Sequence, residues 1–414
     1  MSEYSSQDLA AQASGQRTWT TVALCFAVAL LEGMDLQGPG IAGPGMAAEF
    51  GLDKVWMGWI FGAGILGLLP GALFGGRLAD RIGRKRVLIG AVALFGLFSI
   101  ATALARDTSG LLLARLLTGV GLGAALPNLI ALSSEAAGPR LRSTAVSLMY
   151  CGVPLGAALA ATLGIAGFPG GWQTVFYVGG VTPLLIAPLL ALCLPESSEF
   201  RRQQAQGGAA PRISLWQGLF RHGAALPTLL LWVAYFFTLL VVYMLINWLP
   251  SLLMDQGFRG EQAGWVMFAL QIGAAVGTLA LGALMDRLRP LALAALIYLG
   301  LLASLAALGL SSQFGSMLLA GFVAGLFATG GQSVLYALAP LFYRTEVRAG
   351  GVGSAVAVGR LGAMSGPLVA GQALALGGGT AGVMLASAPG IVLAAVAVFY
   401  LLARRERSAV PAHA

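Results

Sequence analysis

The chain has 414 residues, of which 58% are hydrophobic and 10% are charged, and its mean hydropathy is +0.84. A soluble domain needs more charge than this to cover its surface, so the composition excludes that class and favours a polytopic membrane protein. The net charge is +8, but the basic residues lie in loops between apolar runs, so we expect no nucleic-acid partner.

The N-terminal segment, residues 1–17, is polar and contains acidic residues, unlike the basic start of a signal peptide. The apolar run after it is too long for a cleaved signal and is predicted to be the first membrane span. A spanning helix needs about 20 mostly apolar residues. On this rule the predicted spans are 19–45, 55–78, 86–105, 109–133, 143–166, 172–194, 223–250, 261–285, 289–310, 314–340, 349–376 and 380–403.

The first span contains two acidic residues. Residues 19–31 are too few to cross the hydrocarbon core, so the helix must continue through Glu32 and Asp35. A spacing of three puts both carboxylates on one helix face. An acid in hydrocarbon costs at least a few kcal/mol, so both must face an interior cavity or be paired. Intramembrane acids usually mark a transport pathway, so Glu32 and Asp35 are predicted to couple transport to protons. A static ion pair that braces the bundle is the alternative.

The loop after the second span is "GRLADRIGRKRVL", residues 76–88. Its first glycine would allow a close helix approach, and its aspartate can accept hydrogen bonds from backbone amides or from an arginine. A simple basic loop would explain the positive charges but neither the aspartate nor the glycines. The predicted gating-loop residues are Gly76, Asp80, Arg81, Gly83 and Arg84.

The fourth and fifth spans add an arginine and a bend. In "RLLTGVGLG", residues 115–123, Gly119 and Gly123 are spaced to let neighbouring helices approach. Arg115 lies about 9 Å below the outer end of its helix, a depth comparable to that of Asp35. It is therefore the predicted charge partner of the acids. "GVPLG", residues 152–156, predicts a bend in the fifth span.

A polar stretch that contains glycine and proline, residues 195–222, separates the sixth span from the seventh. It predicts a cytoplasmic linker between an N-terminal six-helix half, 1–194, and a C-terminal six-helix half with a cytoplasmic tail, 223–414. The chain also matches itself when it is shifted by 206 residues. The most specific matches are Pro44 with Pro250, Trp59 with Trp265, Asp80 with Asp286, Arg81 with Arg287 and Arg142 with Arg348.

The eleventh span contains Arg360, about 16 Å from its start. A guanidinium at this depth suits a bidentate carboxylate, so Arg360 is predicted to bind the substrate. A lock between Arg360 and Glu32 or Asp35 remains the alternative. Amide and phenol groups in the spans could hydrogen-bond a hydroxylated substrate or stack on its ring. The predicted substrate-binding residues of this kind are Tyr150, Tyr243, Asn247, Gln332 and Tyr336.

The orientation follows from the loops. With the N-terminus inside, 19 of the 24 lysine and arginine residues fall in inner segments and three in outer loops. The remaining two, Arg115 and Arg360, lie within spans. This asymmetry predicts that both termini are cytoplasmic.

Three motifs carry a resemblance to a known family. "GRLADRIGRKRVL" resembles the loop signature of the major facilitator superfamily, and "RLLTGVGLG" is similar to the fourth-helix motif of its proton-coupled members. "EGMDLQ", residues 32–37, resembles the first-helix D-G-x-D signature of the aromatic acid:H+ symporters, with Glu32 in place of the commonest aspartate. The resemblance implies an all-α major facilitator fold with 12 transmembrane helices in two six-helix halves.

The same resemblance implies a function. A 3-(3-hydroxyphenyl)propionate-like aromatic carboxylate would enter with protons by alternating access across the bacterial inner membrane. It assigns transport roles to Glu32 and Asp35 and loop roles to Asp80 and Arg84. The expected partners are the small aromatic carboxylate, protons and the lipid bilayer. We expect no cofactor and no metal, and by analogy with the family a monomer.

Two other functions stay open at this point. Proton-driven efflux of a hydrophobic compound is supported only by the "GVPLG" bend. A membrane enzyme or a non-transporting sensor of aromatic acids is the second. The core offers no histidine, metal cluster or nucleophile–base arrangement, so an enzyme is not expected.

Overall fold

A computed structural model of the chain describes residues 2–167, 170–197, 199–202, 220, 225–285, 287–343 and 348–409. Within these ranges the chain is helical and contains no β-strand. Helices α1 to α7 are Ser2–Phe50, Lys54–Ile82, Arg84–Ala103, Thr108–Ala136, Gly138–Tyr150, Gly152–Ile165 and Gln173–Cys193. Helices α8 to α13 are Ala225–Asp255, Gly260–Met285, Pro290–Leu310, Phe314–Leu338, Arg348–Ala375 and Gly379–Ala409, and a 3-10 turn, Ala339–Phe342, follows α11.

Twelve stretches of the described residues are long and apolar enough to cross a membrane, as predicted. The all-α polytopic fold class is therefore confirmed. The first helix differs from its predicted span because it begins at Ser2 and ends at Phe50. The fifth span, Thr144–Ile165, is formed by α5 and α6 together, with a break at Cys151. Pro154 explains the break, because its nitrogen cannot donate to the carbonyl of Tyr150.

The chain packs into two compact units. The first unit is Met1–Gly38, Leu66–Ala157 and Gln173–Ala210. The second unit is Pro39–Ile65, Ala158–Trp172 and Pro211–Ala414. Helices α1, α2 and α6 each contribute to both units. The two six-helix halves, 1–194 and 223–414, follow the sequence repeat and stay a prediction.

In the first unit, α3 packs against α4 and α7. Glycines allow other helices of this unit to approach each other closely. A Cβ at Gly33 of α1 would overlap the carbonyl of Val153 of α6, so any larger residue would push these helices apart. A Cβ at Gly123 of α4 would likewise meet the carbonyl of Leu68 on α2. The close approach expected for the fourth-span glycine pattern is therefore present.

In the second unit, α8 packs against α12 and α13, and α9 packs against α11. The end of α1 and the start of α2 join this unit. Gly40 of α1 lies against Ile246 and Asn247 of α8, and Gly58 of α2 lies against Pro367 of α12.

The sequence repeat has a counterpart in the helix contacts of the two units. In the first unit, Gly67 packs on the carbonyl of Leu116. In the second unit, Gly273 packs on the carbonyl of Phe322, and both residues are shifted by 206 from the first pair. The contact of Gly156 with Leu30 recurs in the same way as Gly362 with Phe236. The repeated glycines therefore make equivalent helix contacts.

Candidate functional site

The two intramembrane acids of α1 are buried. Glu32 and Asp35 are each 2% exposed, so neither points at the lipid. Gly33 between them brings α1 onto α6, and Gly38 brings it onto Val175 and Phe176 of α7. This packing encloses the acid-bearing turn in protein, as the cost of an acid in hydrocarbon requires.

Asp35 is held by groups from two other helices. Arg115 of α4 donates from Nη1 to both carboxylate oxygens, at 3.3 Å and 3.2 Å. Ser99 of α3 donates from Oγ to Oδ1 at 3.0 Å and lies 3.2 Å from the carbonyl of Phe176. The side chains of the ion pair are 3% and 0% exposed. A buried ion pair is tolerated when further hydrogen bonds satisfy it, and Ser99 supplies one.

Arg115 also lies beside an aromatic ring. Its guanidinium carbon lies 5.4 Å from the centre of the Phe176 ring, a distance typical of a cation–π contact. Arg115 forms its ion pair with Asp35 and not with Glu32, one helical turn earlier on α1. Of the two predicted acids, Asp35 is therefore the one that Arg115 pairs with.

In the second unit, Arg360 of α12 is half-buried. Its Nη1 donates to the hydroxyl of Tyr243 of α8 at 2.7 Å. The preceding Gly359 packs against Tyr235 and Leu239 of α8, and this close contact brings the arginine to the phenol. The structure thus joins Arg360 and Tyr243, two of the predicted substrate-binding residues.

A second pair of predicted residues lies on α11. Gln332 donates from Nε2 to the hydroxyl of Tyr336 at 2.8 Å, across one helical turn. The Tyr336 ring packs at 5.4 Å from the ring of Tyr235, whose own hydroxyl donates to the carbonyl of Leu335 at 3.1 Å. The amide therefore fills the acceptor side of the Tyr336 hydroxyl, while the neighbouring tyrosine supports its ring.

The remaining predicted residues of this class are placed differently. Asn247 lies one turn after Tyr243 on α8, but its Nδ2 donates to the carbonyl of Tyr243 at 2.8 Å. One of its two N–H donors is therefore used within the helix. Tyr150 is half-buried at the end of α5 and belongs to the first unit.

The predicted gating loop connects α2 to α3 in the first unit. Gly83 has φ of +103°, and a Cβ there would also overlap Glu196, so both its conformation and its space require glycine. Arg84 forms an ion pair with Glu135 of α4. Glu135 also accepts from Ser197 Oγ at 2.6 Å, and Glu196 accepts from the amide of Lys85 at 3.0 Å.

Three other loop residues lack the expected contacts among the described residues, and their role in gating stays a prediction. Asp80 and Arg81 are exposed and form no hydrogen bond or ion pair among the described residues. A Cβ at Gly76 would meet no described atom within 4 Å, so the close approach expected there is not found in this part of the chain. The equivalent loop of the second half includes Asp286, which lies outside the described residues.

Sequence reasoning missed the partners of the predicted residues. Ser99, Glu135 and Ser197 complete the Asp35 and Arg84 clusters. A single serine in an apolar helix has no distinctive pattern. Glu135 ends a span and Ser197 begins a linker, and neither position indicates a contact with the loop.

The start of α2, at the end of the helix opposite the gating loop, forms contacts within the second unit. Lys54 at the start of α2 forms an ion pair with Asp255 at the end of α8, at 2.7 Å. Deeper along the same helices, the Phe61 ring packs edge-on against Trp248, with 5.3 Å between ring centres. Trp248 Nε1 donates to the carbonyl of Pro367 at 2.9 Å. These contacts join helices from the first and second parts of the sequence.

A sequence profile of the Major Facilitator Superfamily matches residues 25–311 and 231–414. The chain belongs to the major facilitator superfamily. It is 69% identical, over 95% of its length and 96% of the relative, to the 3-(3-hydroxy-phenyl)propionate transporter of Escherichia coli. It is 38% identical to the gallate transporter of Pseudomonas putida, over 87% of this chain and 86% of the relative. It is 36% identical to the 4-hydroxybenzoate transporter of the same species, over 87% of both chains.

Solved structures agree with this assignment of the fold. The crystal structure of a D-xylose–proton symporter superposes with a TM-score of 0.77 at 17% identity, covering 92% of this chain and 97% of the other. A bacterial homologue of the human lysosomal transporter Spinster gives a TM-score of 0.73 at 17% identity over 96% of this chain and 99% of the other. The major facilitator fold with 12 transmembrane helices is confirmed, and the chain is a multi-pass membrane transporter rather than an enzyme.

Proposed function

We propose that this transporter imports an aromatic carboxylate of the 3-(3-hydroxyphenyl)propionate type together with protons, by alternating access. The observation that carries the substrate class is the 69% identity, over 95% of the chain, to the E. coli transporter named for that compound. The relatives named for gallate and 4-hydroxybenzoate are also named for aromatic acids that carry ring hydroxyls.

Arg360 is the proposed anchor for the substrate carboxylate. Its planar guanidinium matches a carboxylate bidentately, and the hydrogen bond to Tyr243 fixes the orientation of the guanidinium. Asp35 already has Arg115 as its ion-pair partner, which favours a substrate role for Arg360 over a lock with Asp35.

Tyr336 is proposed to recognise the ring hydroxyl of the substrate by a hydrogen bond. Because Gln332 donates to the Tyr336 oxygen, the tyrosine hydrogen points elsewhere, and no described residue accepts it. A phenolic oxygen of the substrate is a suitable acceptor. A site built around such a hydrogen bond disfavours an analogue that lacks the partner group. The neighbouring Tyr235 ring adds an aromatic surface.

Glu32 and Asp35 are the proposed proton-coupling residues, with different tasks. Asp35, paired with Arg115 and bonded by Ser99, holds α1, α3 and α4 together. Glu32, buried but outside the Arg115 pair, binds and releases the proton. Moving one charge across a membrane costs about 2.3 kcal/mol per 100 mV, so one proton with each monoanion cancels that cost.

The contacts at the two ends of the helices support alternating access. Lys54–Asp255 and Phe61–Trp248 join α2 to α8 at one end, and these contacts would break when that end opens. At the other end, Arg84–Glu135 holds the loop of the first unit to α4. The excess of basic residues in the loops at that end supports cytoplasmic termini in a bacterial inner membrane.

Uptake of labelled 3-(3-hydroxyphenyl)propionate into proteoliposomes tests the proposal. We expect saturable uptake that rises when the outside is made acidic and is abolished by a proton ionophore. Phenylpropionate without the ring hydroxyl should compete more weakly. Uptake that does not depend on the proton gradient would contradict proton coupling. Absence of uptake, when a related transporter is active in vesicles prepared in the same way, would contradict the substrate class.

A further inference from the structure

The second unit contains a cavity of about 360 Å³ away from Arg360 and Tyr336. It lies where α1 ends, α6 ends, α8 ends and α9 begins, near the Lys54–Asp255 ion pair. Small-molecule sites have volumes of about 300–1,000 Å³, so the cavity is large enough to hold a ligand.

The walls of the cavity are mostly apolar, and the orientation of one wall residue, Trp172, is fixed by its own contacts. Pro44, Pro250, Met254 and Met267 line it together with the indole of Trp172. The Trp172 Nε1 donates to Glu49 at 2.6 Å, and its ring packs edge-on at 6.0 Å from that of Phe50. An indole fixed on two sides loses little freedom when a ligand contacts it.

One charged side chain lines the cavity among the described residues. Glu261, in the first turn of α9, is exposed at its edge and forms no hydrogen bond or ion pair with a described residue. Its carboxylate disfavours the anionic substrate and favours a cation. The indole of Trp172 adds to the attraction because aromatic rings bind ammonium groups.

We infer that this cavity binds an apolar amine, with its ammonium on Glu261 and its hydrophobic body against Trp172 and the methionines. The cavity is thus a second ligand site whose charge preference is opposite to that of Arg360. Its walls come from α1 and α6 as well as from α8 and α9, so a bound amine holds these segments together. If transport proceeds by alternating access as proposed, the amine also slows uptake without competing with the substrate.

Two ligands with one hydrophobic body and opposite charges test this inference: 3,3-diphenylpropylamine and 3,3-diphenylpropionate. Binding is measured by calorimetry on the full chain in phosphatidylcholine nanodiscs, without any transport. We expect saturable binding of the amine that weakens about tenfold in Glu261→Gln, as for loss of one charge-assisted hydrogen bond. The control Asp53→Asn removes an acid that lies outside the cavity and can still cap α2, so amine binding should be unchanged.

Charge reversal gives the complementary result. In Glu261→Arg the amine should lose its saturable binding, while the carboxylate should gain a site that is insensitive to Arg360→Leu. Equal amine binding in wild type and Glu261→Gln would overturn the inference, as would amine binding abolished by excess 3-(3-hydroxyphenyl)propionate. Both readouts are binding measurements, so they stand apart from success or failure of the transport assay.

Discussion

Arg115 with Asp35 and Ser99 forms one polar cluster in the membrane spans, and Arg360 with Tyr243 forms another. The two arginines differ in their surroundings. Arg115 is 3% exposed, and its positive charge is matched by Asp35 within the same unit. Arg360 is half-buried and is oriented by the neutral hydroxyl of Tyr243. A charge neutralised within its own unit stabilises helix packing, so we assign a structural role to Arg115. For the less buried Arg360 we propose a role in binding the substrate anion.

The largest expected effect comes from removing Arg115. Arg115→Leu leaves the Asp35 carboxylate buried without its cation, which costs about 3–5 kcal/mol. We expect a large fall in the unfolding temperature of the purified protein. The double variant Asp35→Leu/Arg115→Leu should recover most of that loss, because replacing both partners by apolar groups is often close to neutral. A double variant as unstable as the single one would contradict a structural role for the pair.

Removal of Arg360 should give the opposite pattern. Arg360→Leu is expected to weaken substrate binding by about 2–5 kcal/mol, at least about 30-fold, because a desolvated carboxylate loses its cation. The unfolding temperature should change less than for Arg115→Leu, since Arg360 is only half-buried whereas Arg115 is 3% exposed. Radioligand binding and thermal unfolding on the same preparation separate the two effects. Strong destabilisation with intact binding would reverse the proposed roles of Arg115 and Arg360.

The hydrogen bond from Ser99 to Asp35 should also contribute measurably to the stability of the first unit. Ser99→Ala removes one hydrogen bond to a charged group, worth about 1.5–3 kcal/mol, and should lower stability by that amount. Thr102→Val on the same helix is the matched control, because its hydroxyl donates to its own helix at the carbonyl of Phe98. Equal thermal shifts for the two variants would show that the bond to Asp35 has no special weight.

Tyr336 gives the smallest and most selective effect. Tyr336→Phe should reduce the preference for 3-(3-hydroxyphenyl)propionate over phenylpropionate by about 1 kcal/mol, roughly fivefold, while uptake of phenylpropionate persists. Tyr298→Phe is the control, because it removes a buried tyrosine hydroxyl on α10 that lies beside Thr238 rather than beside Gln332. If Tyr336→Phe kept the full preference for 3-(3-hydroxyphenyl)propionate over phenylpropionate, Tyr336 would have no role in recognising the ring hydroxyl.

The twelve spans could be predicted because each spanning helix needs a long apolar run, and few other patterns produce one. Glu32, Asp35, Arg115 and Arg360 could be found for the same reason, since charges are rare in such runs. Depth along the helices also placed Arg115 near Asp35. The glycine contacts were predictable where small residues recur four apart.

The partners of these residues could not be predicted. Ser99 and Tyr243 are ordinary side chains in apolar helices, and only helix rotation and packing decide whether they reach a charge. Asp80 is the converse case, because its motif suggests a hydrogen-bonded residue, whereas its side chain is exposed and bonds none of the described residues. The compact units also differ from the sequence halves, because α1, α2 and α6 are long enough to pack with different neighbours at their two ends.

The proposed role of Glu32 as the proton carrier is tested by Glu32→Gln, compared with wild type in the same proteoliposomes. Two rates are measured: uptake driven by an acidic outside, and exchange of labelled for unlabelled substrate without a gradient. We predict that the variant retains exchange, because Arg360 and the Asp35–Arg115 pair are intact, but loses its response to external acid. Acid-stimulated uptake as strong as in wild type would contradict proton coupling through Glu32.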